Sequence, residues 1–220
     1  MKVPKLIRNI DQYPDNGLVF YLNIYNVRKV LKSTQENFYF TFDGIGLCVL
    51  VRLMTLFTIN PKRLAPDLDG YFRPLLKTGT KKVLIGSHLD DLELIKNKYT
   101  ENVVGQKSGY CSNQEIIDYV VRLNLDASEN YLFIVGVGSP RQEKLAVQLS
   151  KEFDNSLIIT CGAFFSQYAR SEHYYPSVIA RLNLRMPYRL FKEKLFSRLP
   201  VYFINPLFFI IQVFMRKISL

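Results

Sequence analysis

Several residues with useful chemistry stand where an apolar run gives way to a helix-like one. Asp43 follows the run FYFTF and precedes Gly44-Ile45-Gly46. A carboxylate there, beside a helix start that glycine leaves open, serves as a general base or as the acceptor for a ligand hydroxyl. A simple N-cap is the competing reading. Asn23 closes LVFYLNI, as a ligand contact or a turn former. Gly136-Val137-Gly138-Ser139-Pro140-Arg141-Gln142-Glu143 ends one apolar run and opens a helix with Pro140 at its first position. Backbone N–H groups at such a start receive a diphosphate, with Gln142 and Glu143 in the first turn beside it. The alternative is an ordinary tight turn. The segment is neither G-x-G-x-x-G nor a P-loop, because no Gly-Lys-Ser/Thr follows.

Other residues are less specific. Arg63, in the polar loop NPKRLAP, either clamps a phosphate or points to solvent. Gly162 is another glycine after an apolar run. Asp67-Leu68-Asp69 has the D-x-D form of a metal motif, yet it follows Pro66 near a helix start, where N-capping ranks ahead of metal binding. His88 stands at a strand end with no nucleophile partner. Two histidines, His88 and His173, do not make a His-rich metal site. No metal and no cofactor is expected.

The elements that must position these residues alternate along the chain. Strand-like runs at 18–24, 37–42, 81–87, 130–138 and 156–162 are separated by helix-like runs at 27–36, 44–57, 68–79 (interrupted by Pro74), 90–99, 112–124 and 140–153. The run at 44–57 is apolar nearly all round and predicts a buried helix. Ser112 with Glu115 three residues on has capping-box spacing. Such alternation predicts an α/β fold: a mostly parallel, Rossmann-like sheet with helices on both faces. Ligands in such sheets bind at the carboxyl ends of the strands, where the candidates above fall.

The 220 residues suit one α/β core with an appendage. With 48% hydrophobic and 22% charged residues, the chain is not a disordered one. Cys48, Cys111 and Cys161 are too far apart for C-x-x-C, which argues against a disulfide scaffold or zinc finger and for a reducing cytoplasm. The N-terminal residues lack the apolar stretch of a secretory signal. Nine basic residues against Glu172 and Glu193 place +7 of the net +10 charge from Arg170 onward. The expected division is therefore a catalytic core at 1–176 and a basic, α-helical, amphipathic tail at 177–220. The uncharged run Leu199–Met215 contains Asn205, Pro206 and Gln212 and is short for a span. An interfacial helix on an anionic membrane is the preferred reading, with a helix packed on the core or on another subunit as the alternative.

Taken together and in order, LNIYN, FDGIGLCVLVRL, PKRLAPDL, VLIGS, VVGQKSGYCSNQEII, VGVGSPRQEKLA, MPYRLFKE and INPLFF resemble the bacterial WecG/TagA/CpsF glycosyltransferase family. The resemblance spans roughly residues 18–210, with VGVGSPRQEKLA its most specific segment. It implies an inverting, metal-independent transfer of a sugar, N-acetylmannosamine-like as a first expectation, from a UDP-sugar to an undecaprenyl-diphosphate-linked acceptor. The setting implied is cell-surface polysaccharide synthesis on the inner face of the cell membrane. By the same resemblance Asp43 is the base, Arg63 neutralises the leaving diphosphate, and Gln142 contacts the nucleotide. The tail docks on the membrane and can complete the site. Asn23, Gly44, Gly138 and Glu143 are the further candidate substrate contacts. Departures from the family pattern include Tyr21, Pro66, Ser166, Tyr174-Tyr175-Pro176 and Arg185-Met186-Pro187-Tyr188-Arg189.

The competing class is a non-catalytic membrane or nucleic-acid binding protein that uses the basic tail. Charge confined to the tail, without an RNA-binding motif, argues against a nucleic-acid partner. A Rossmann-type oxidoreductase is weakened by the missing G-x-G-x-x-G.

Overall fold

The computed structural model describes residues 3–9, 12–34, 36–66, 72–126, 128–171, 174–182, 184–192, 194 and 196–220. Among them seven strands form one sheet: β1 (Lys5–Leu6), β2 (Gly17–Leu22), β3 (Tyr39–Phe42), β4 (Lys81–Gly86), β5 (Val103–Lys107), β6 (Tyr131–Gly136) and β7 (Leu157–Thr160). Their spatial order is β1-β3-β2-β7-β6-β4-β5, and every pairing is parallel. The helices are α1 (Val27–Ser33), α2 (Ile45–Met54), α3 (Phe72–Leu76), α4 (Leu89–Tyr99), α5 (Asn113–Arg122) and α6 (Arg141–Glu152). After them come α7 (Phe164–Tyr168), α8 (Ser177–Arg181), α9 (Arg185–Lys192) and α10 (Leu199–Phe214). The expected Rossmann-like α/β fold with a helical C-terminal region is present.

Side-chain alternation along the strands builds two cores. Leu18, Phe20 and Leu22 of β2 join Phe133 and Val135 under α1, α2, α5 and α6. Val19 and Tyr21 join Leu84 and Ile134 under α3, α4 and α7. Coverage of both faces is why the central strands read as continuous apolar runs, with no polar side to mark. The capping box forms as its spacing predicts: the Glu115 N–H donates to Ser112 Oγ at 3.2 Å and the Ser112 N–H donates to Glu115 Oε2 at 2.8 Å.

Four local expectations change. The helix at 44–57 is shorter, Ile45–Met54, and one-sided: Leu47, Cys48 and Val51 are buried while Val49 and Leu53 are exposed, because it covers one sheet face from outside. Pro140 is the residue before α6, following a cis Ser139–Pro140 peptide, and the helix begins at Arg141. Only Phe72–Leu76 of the run at 68–79 is described as helix, with Pro74 inside its first turn, where the missing N–H leaves no bond unmade. Asp67, Asp69 and His173 lie outside the described residues. Finally, β1 and β5 are strands that the alternation did not mark.

The C-terminal segment reaches across the boundary at 176/177. Phe209 is fully buried, its ring 6.1 Å from that of Phe42 in an edge-on contact. Ile218 is also buried, and Ser219 bridges in parallel to Lys5: the Leu6 N–H donates to the Ser219 carbonyl and the Ser219 N–H to the Pro4 carbonyl, each at 3.0 Å. The inner face of α10 thus packs on the core, while Phe203, Leu207, Ile211 and Phe214 remain exposed on its outer side. No described helix is long and apolar enough to cross a membrane.

Candidate active site

The carboxyl ends of β2, β3, β4, β6 and β7 open into a cavity of about 420 Å³ bordered by Asn23, Asp43, Arg63, Gly138 and Gln142. A second cavity of about 350 Å³, with more apolar walls, lies between the start of α2 and α9, where Gly44, Ile45, Leu184, Met186 and Pro187 border it. Asn23, Tyr25, Asp43, Arg63, Tyr175, Arg185 and Arg189 border both. The Asp43 carboxylate therefore stands where the two spaces meet.

Parallel pairing of β2 and β3 sets Asn23 beside Asp43, since both follow paired strand ends, Leu22 and Phe42. Asn23 Nδ2 donates to Asp43 Oδ2 at 3.2 Å. Arg63 Nη2 lies 3.9 Å from Asp43 Oδ1, and Arg63 Nε donates to the Asp43 backbone carbonyl at 2.6 Å. The Arg63 loop is held against β3 by the Leu64 N–H, which donates to the Phe42 carbonyl at 3.1 Å. The N-cap of α2 is Gly44, with no side-chain cap bond, so Asp43 is not spent on capping. Its side chain is 35% exposed. An accessible carboxylate, held by one amide and flanked by a guanidinium, can take a proton from a hydroxyl placed in either cavity.

Across the cavity, Gln142 Oε1 accepts from the Gly162 N–H at 3.2 Å, and its own N–H donates to the Gly138 carbonyl at 2.8 Å. That backbone donor is engaged, which narrows the expected set of N–H groups at the helix start. Gly138 has φ +85°, a conformation that other side chains rarely adopt. At Gly136 a Cβ would lie 2.8 Å from the Gly162 carbonyl oxygen, so the adjoining strand ends leave no room for a side chain.

Glu143 borders neither cavity. One position along a helix turns a side chain by about 100°, and Glu143 faces inward, fully buried. Burial pushes its carboxyl above the usual range, against the Gln142 amide and the Ser139 hydroxyl. Gln142 Nε2 donates to Glu143 Oε1 at 3.0 Å, so Glu143 orients Gln142 from behind. Five of the predicted residues thus gather at the first cavity and Gly44 at the second.

Sequence reasoning missed Tyr175, Arg185 and Arg189 among the cavity residues. Burial pushes the Tyr175 hydroxyl up to about 12 against the pull of Arg189, so it stays a neutral donor. The Arg185 guanidinium lies 5.1 Å from the centre of its ring. Arg185 and Arg189 are four apart on one helix and share a side, a signal present in MPYRLFKE but tied to the site only by the return of the tail. Burial also pushes up the Cys161 thiol at the first cavity, which leaves it a poor nucleophile. Among the described residues no three His, Cys, Asp or Glu side chains gather as a metal site.

An all-parallel sheet with glycine-lined strand ends, a carboxylate and several guanidiniums over one cleft has the architecture of a Rossmann-like ligand-binding protein. The chain belongs to the Glycosyl transferase WecG/TagA/CpsF family, whose model matches residues 3–220. It is 30% identical over 199 residues to the UDP-Gal:alpha-D-GlcNAc-diphosphoundecaprenol beta-1,4-galactosyltransferase of Shigella boydii, covering 83% of this chain and 80% of that protein. It is 28% identical over 160 residues to the N-acetylglucosaminyldiphosphoundecaprenol N-acetyl-beta-D-mannosaminyltransferase of Bacillus subtilis (strain 168), covering 67% of this chain and 58% of that protein.

Proposed function

We propose that this glycosyltransferase moves a hexose from a UDP-sugar, with inversion, to a saccharide on undecaprenyl diphosphate. The observation that carries the reading is the position of Asp43 at the junction of a polar strand-end cavity and a more apolar one. In this reading the first cavity takes the nucleotide, with Gln142 and Gly138 beside it, and the second takes the lipid-linked acceptor. Asp43 removes the acceptor hydroxyl proton as that oxygen attacks the anomeric carbon. UDP departs from the opposite face, its growing charge met by Arg63. The two relatives are named for galactose and N-acetylmannosamine, so these are the first two donors to test.

The same reading makes the enzyme peripheral on the inner face of the cell membrane. The exposed Phe203, Leu207, Ile211 and Phe214 lie on the segment that holds most of the net positive charge. Each cation near an anionic leaflet contributes about 1 kcal/mol, and apolar burial adds to it.

A panel of UDP-sugars, assayed with a short-chain lipid-diphosphate saccharide, tests the reaction. Turnover with one UDP-hexose and a rise in melting temperature with UDP are expected. A chain that neither responds to UDP nor turns over any donor, yet binds anionic vesicles, would be the non-catalytic membrane protein instead.

A further inference from the structure

Asn205 is an amide in the middle of the most apolar helix of the chain, one residue before Pro206, and it is only 3% exposed. A buried amide in such a helix is costly unless its donors are used. Here they are: Nδ2 donates to the Ile24 carbonyl at 2.7 Å and to the Tyr25 carbonyl at 3.0 Å. Both carbonyls belong to the turn between β2 and α1, whose two asparagine side chains are also committed. Asn23 Oδ1 accepts from the Tyr25 and Asn26 N–H groups, each at 3.0 Å. Asn26 Oδ1 accepts from the Asn23 N–H at 2.8 Å, and Asn26 Nδ2 donates to the Tyr21 carbonyl at 2.9 Å. With its oxygen locked by the turn, the Asn23 amide has one orientation, which aims Nδ2 at Asp43 Oδ2.

We propose that Asn205 is a positioning residue for the transfer step: from α10 it clamps the Ile24–Tyr25 backbone, which fixes the Asn23 amide against the Asp43 carboxylate. The inference rests on the reading of Asp43 as the base. It makes α10 part of the catalytic apparatus through hydrogen bonds, not only through the apolar side chains it exposes. Asn205 touches no reacting atom, so its effect falls on the geometry of the base and not on the nucleotide, which binds across the cleft.

Asn205→Leu keeps the branching at Cγ, at a larger volume, and removes both donors. The expected result is a fall in kcat of about tenfold, with the KM for the UDP-sugar and the affinity for UDP within about twofold of the parent. In an Asn23→Ala background the same substitution should cost nothing more, because the link is already cut. Should Asn205→Leu fail to fold, Asn205→Ala, which leaves space for water at the two carbonyls, is carried through the same cycle. Unchanged kcat overturns the proposal, and so does an equal loss in both backgrounds or a loss confined to UDP affinity. Asp43→Asn runs alongside: if it retains turnover, the base assignment fails, whereas an inactive Asp43→Asn beside a fully active Asn205→Leu overturns this inference alone.

Discussion

The two ends of the sheet use cations in opposite ways. At the amino end, Lys82 of β4 is wholly buried, and its ammonium donates to the carbonyls of Thr78 at 2.6 Å, Thr80 at 2.8 Å and Glu101 at 3.2 Å. Three donors meet three acceptors in a closed set, while burial pulls the affinity of the amine for its proton below the ordinary lysine value. At the carboxyl end, Arg63 secures its own loop through one carbonyl and directs the same guanidinium toward a carboxylate and two cavities. A buried cation whose bonds are all internal holds the fold; one that borders a cavity beside a carboxylate can act on a ligand.

The contrast is tested most severely at Asp43. Asp43→Asn keeps the shape and removes the basicity, so turnover should fall by about 10²-fold or more while UDP still binds. Turnover near the parent level would return Asp43 to a structural role. Arg63→Ala should slow transfer by about tenfold or more with a smaller effect on UDP affinity, because charge builds on the diphosphate only as the bond breaks. Lys82→Met should do the reverse. It strands three carbonyls and should lower stability by about 1–3 kcal/mol in denaturant titrations, with kcat unchanged below the melting transition. Gln142→Ala should weaken UDP binding by about tenfold or less in calorimetry, since it removes an amide that holds Gly162.

The smallest effect belongs to Glu143, whose burial resembles that of Lys82 although it neighbours the cleft. Its carboxyl is raised in the folded chain, so the folded state holds the proton more tightly than the unfolded one. Stability is therefore greatest below the unfolded carboxylate value and falls as pH rises toward the folded one. Glu143→Gln should melt higher than the parent at neutral pH, and the difference should close on acidification below about pH 4.5. A constant difference across that range would remove Glu143 from the account.

Much of the carboxyl end could be read from the chain, and much of what secures it could not. Asp43, Asn23 and the Gly136–Glu143 turn are legible because strand, breaker and helix follow one another within a few residues. Glu143 faces the core and not the cleft, since adjacency in sequence does not say which way a helical side chain turns. β5 escaped notice because it is an edge strand of mixed character, with Gly105, Gln106 and Lys107 in its second half. β1 is two residues long and gains its place from pairing with β3 and bridging to Ser219, contacts no local pattern announces. Arg185 and Arg189 border the cavities, and Asn205 meets the turn between β2 and α1, only because the tail folds back, so their signal is tertiary. The charge pattern of that segment ranks a surface module ahead of a helix packed on the core, and α10 does pack one face there through Phe209.

The β2–β7 pairing carries one more consequence, in the order of folding. It joins the block β1-β3-β2 to the block β7-β6-β4-β5, in the register Gly17 to Leu157, Leu18 to Ile158 and Val19 to Ile159. At this seam the Tyr21 N–H reaches Thr160 Oγ1 at 3.4 Å, across 139 positions of chain. Closing so long a loop is a slow, entropy-limited event. Asn23 and Asp43 belong to the first block, and Gly138, Gln142 and Gly162 to the second. A chain in which each block has formed but the seam has not holds two half-clefts and no place for a donor and a base to meet. Competence for chemistry should therefore arrive with this seam: in refolding, amide protection on β2 and β7 and the capacity to bind UDP should appear in the same kinetic phase.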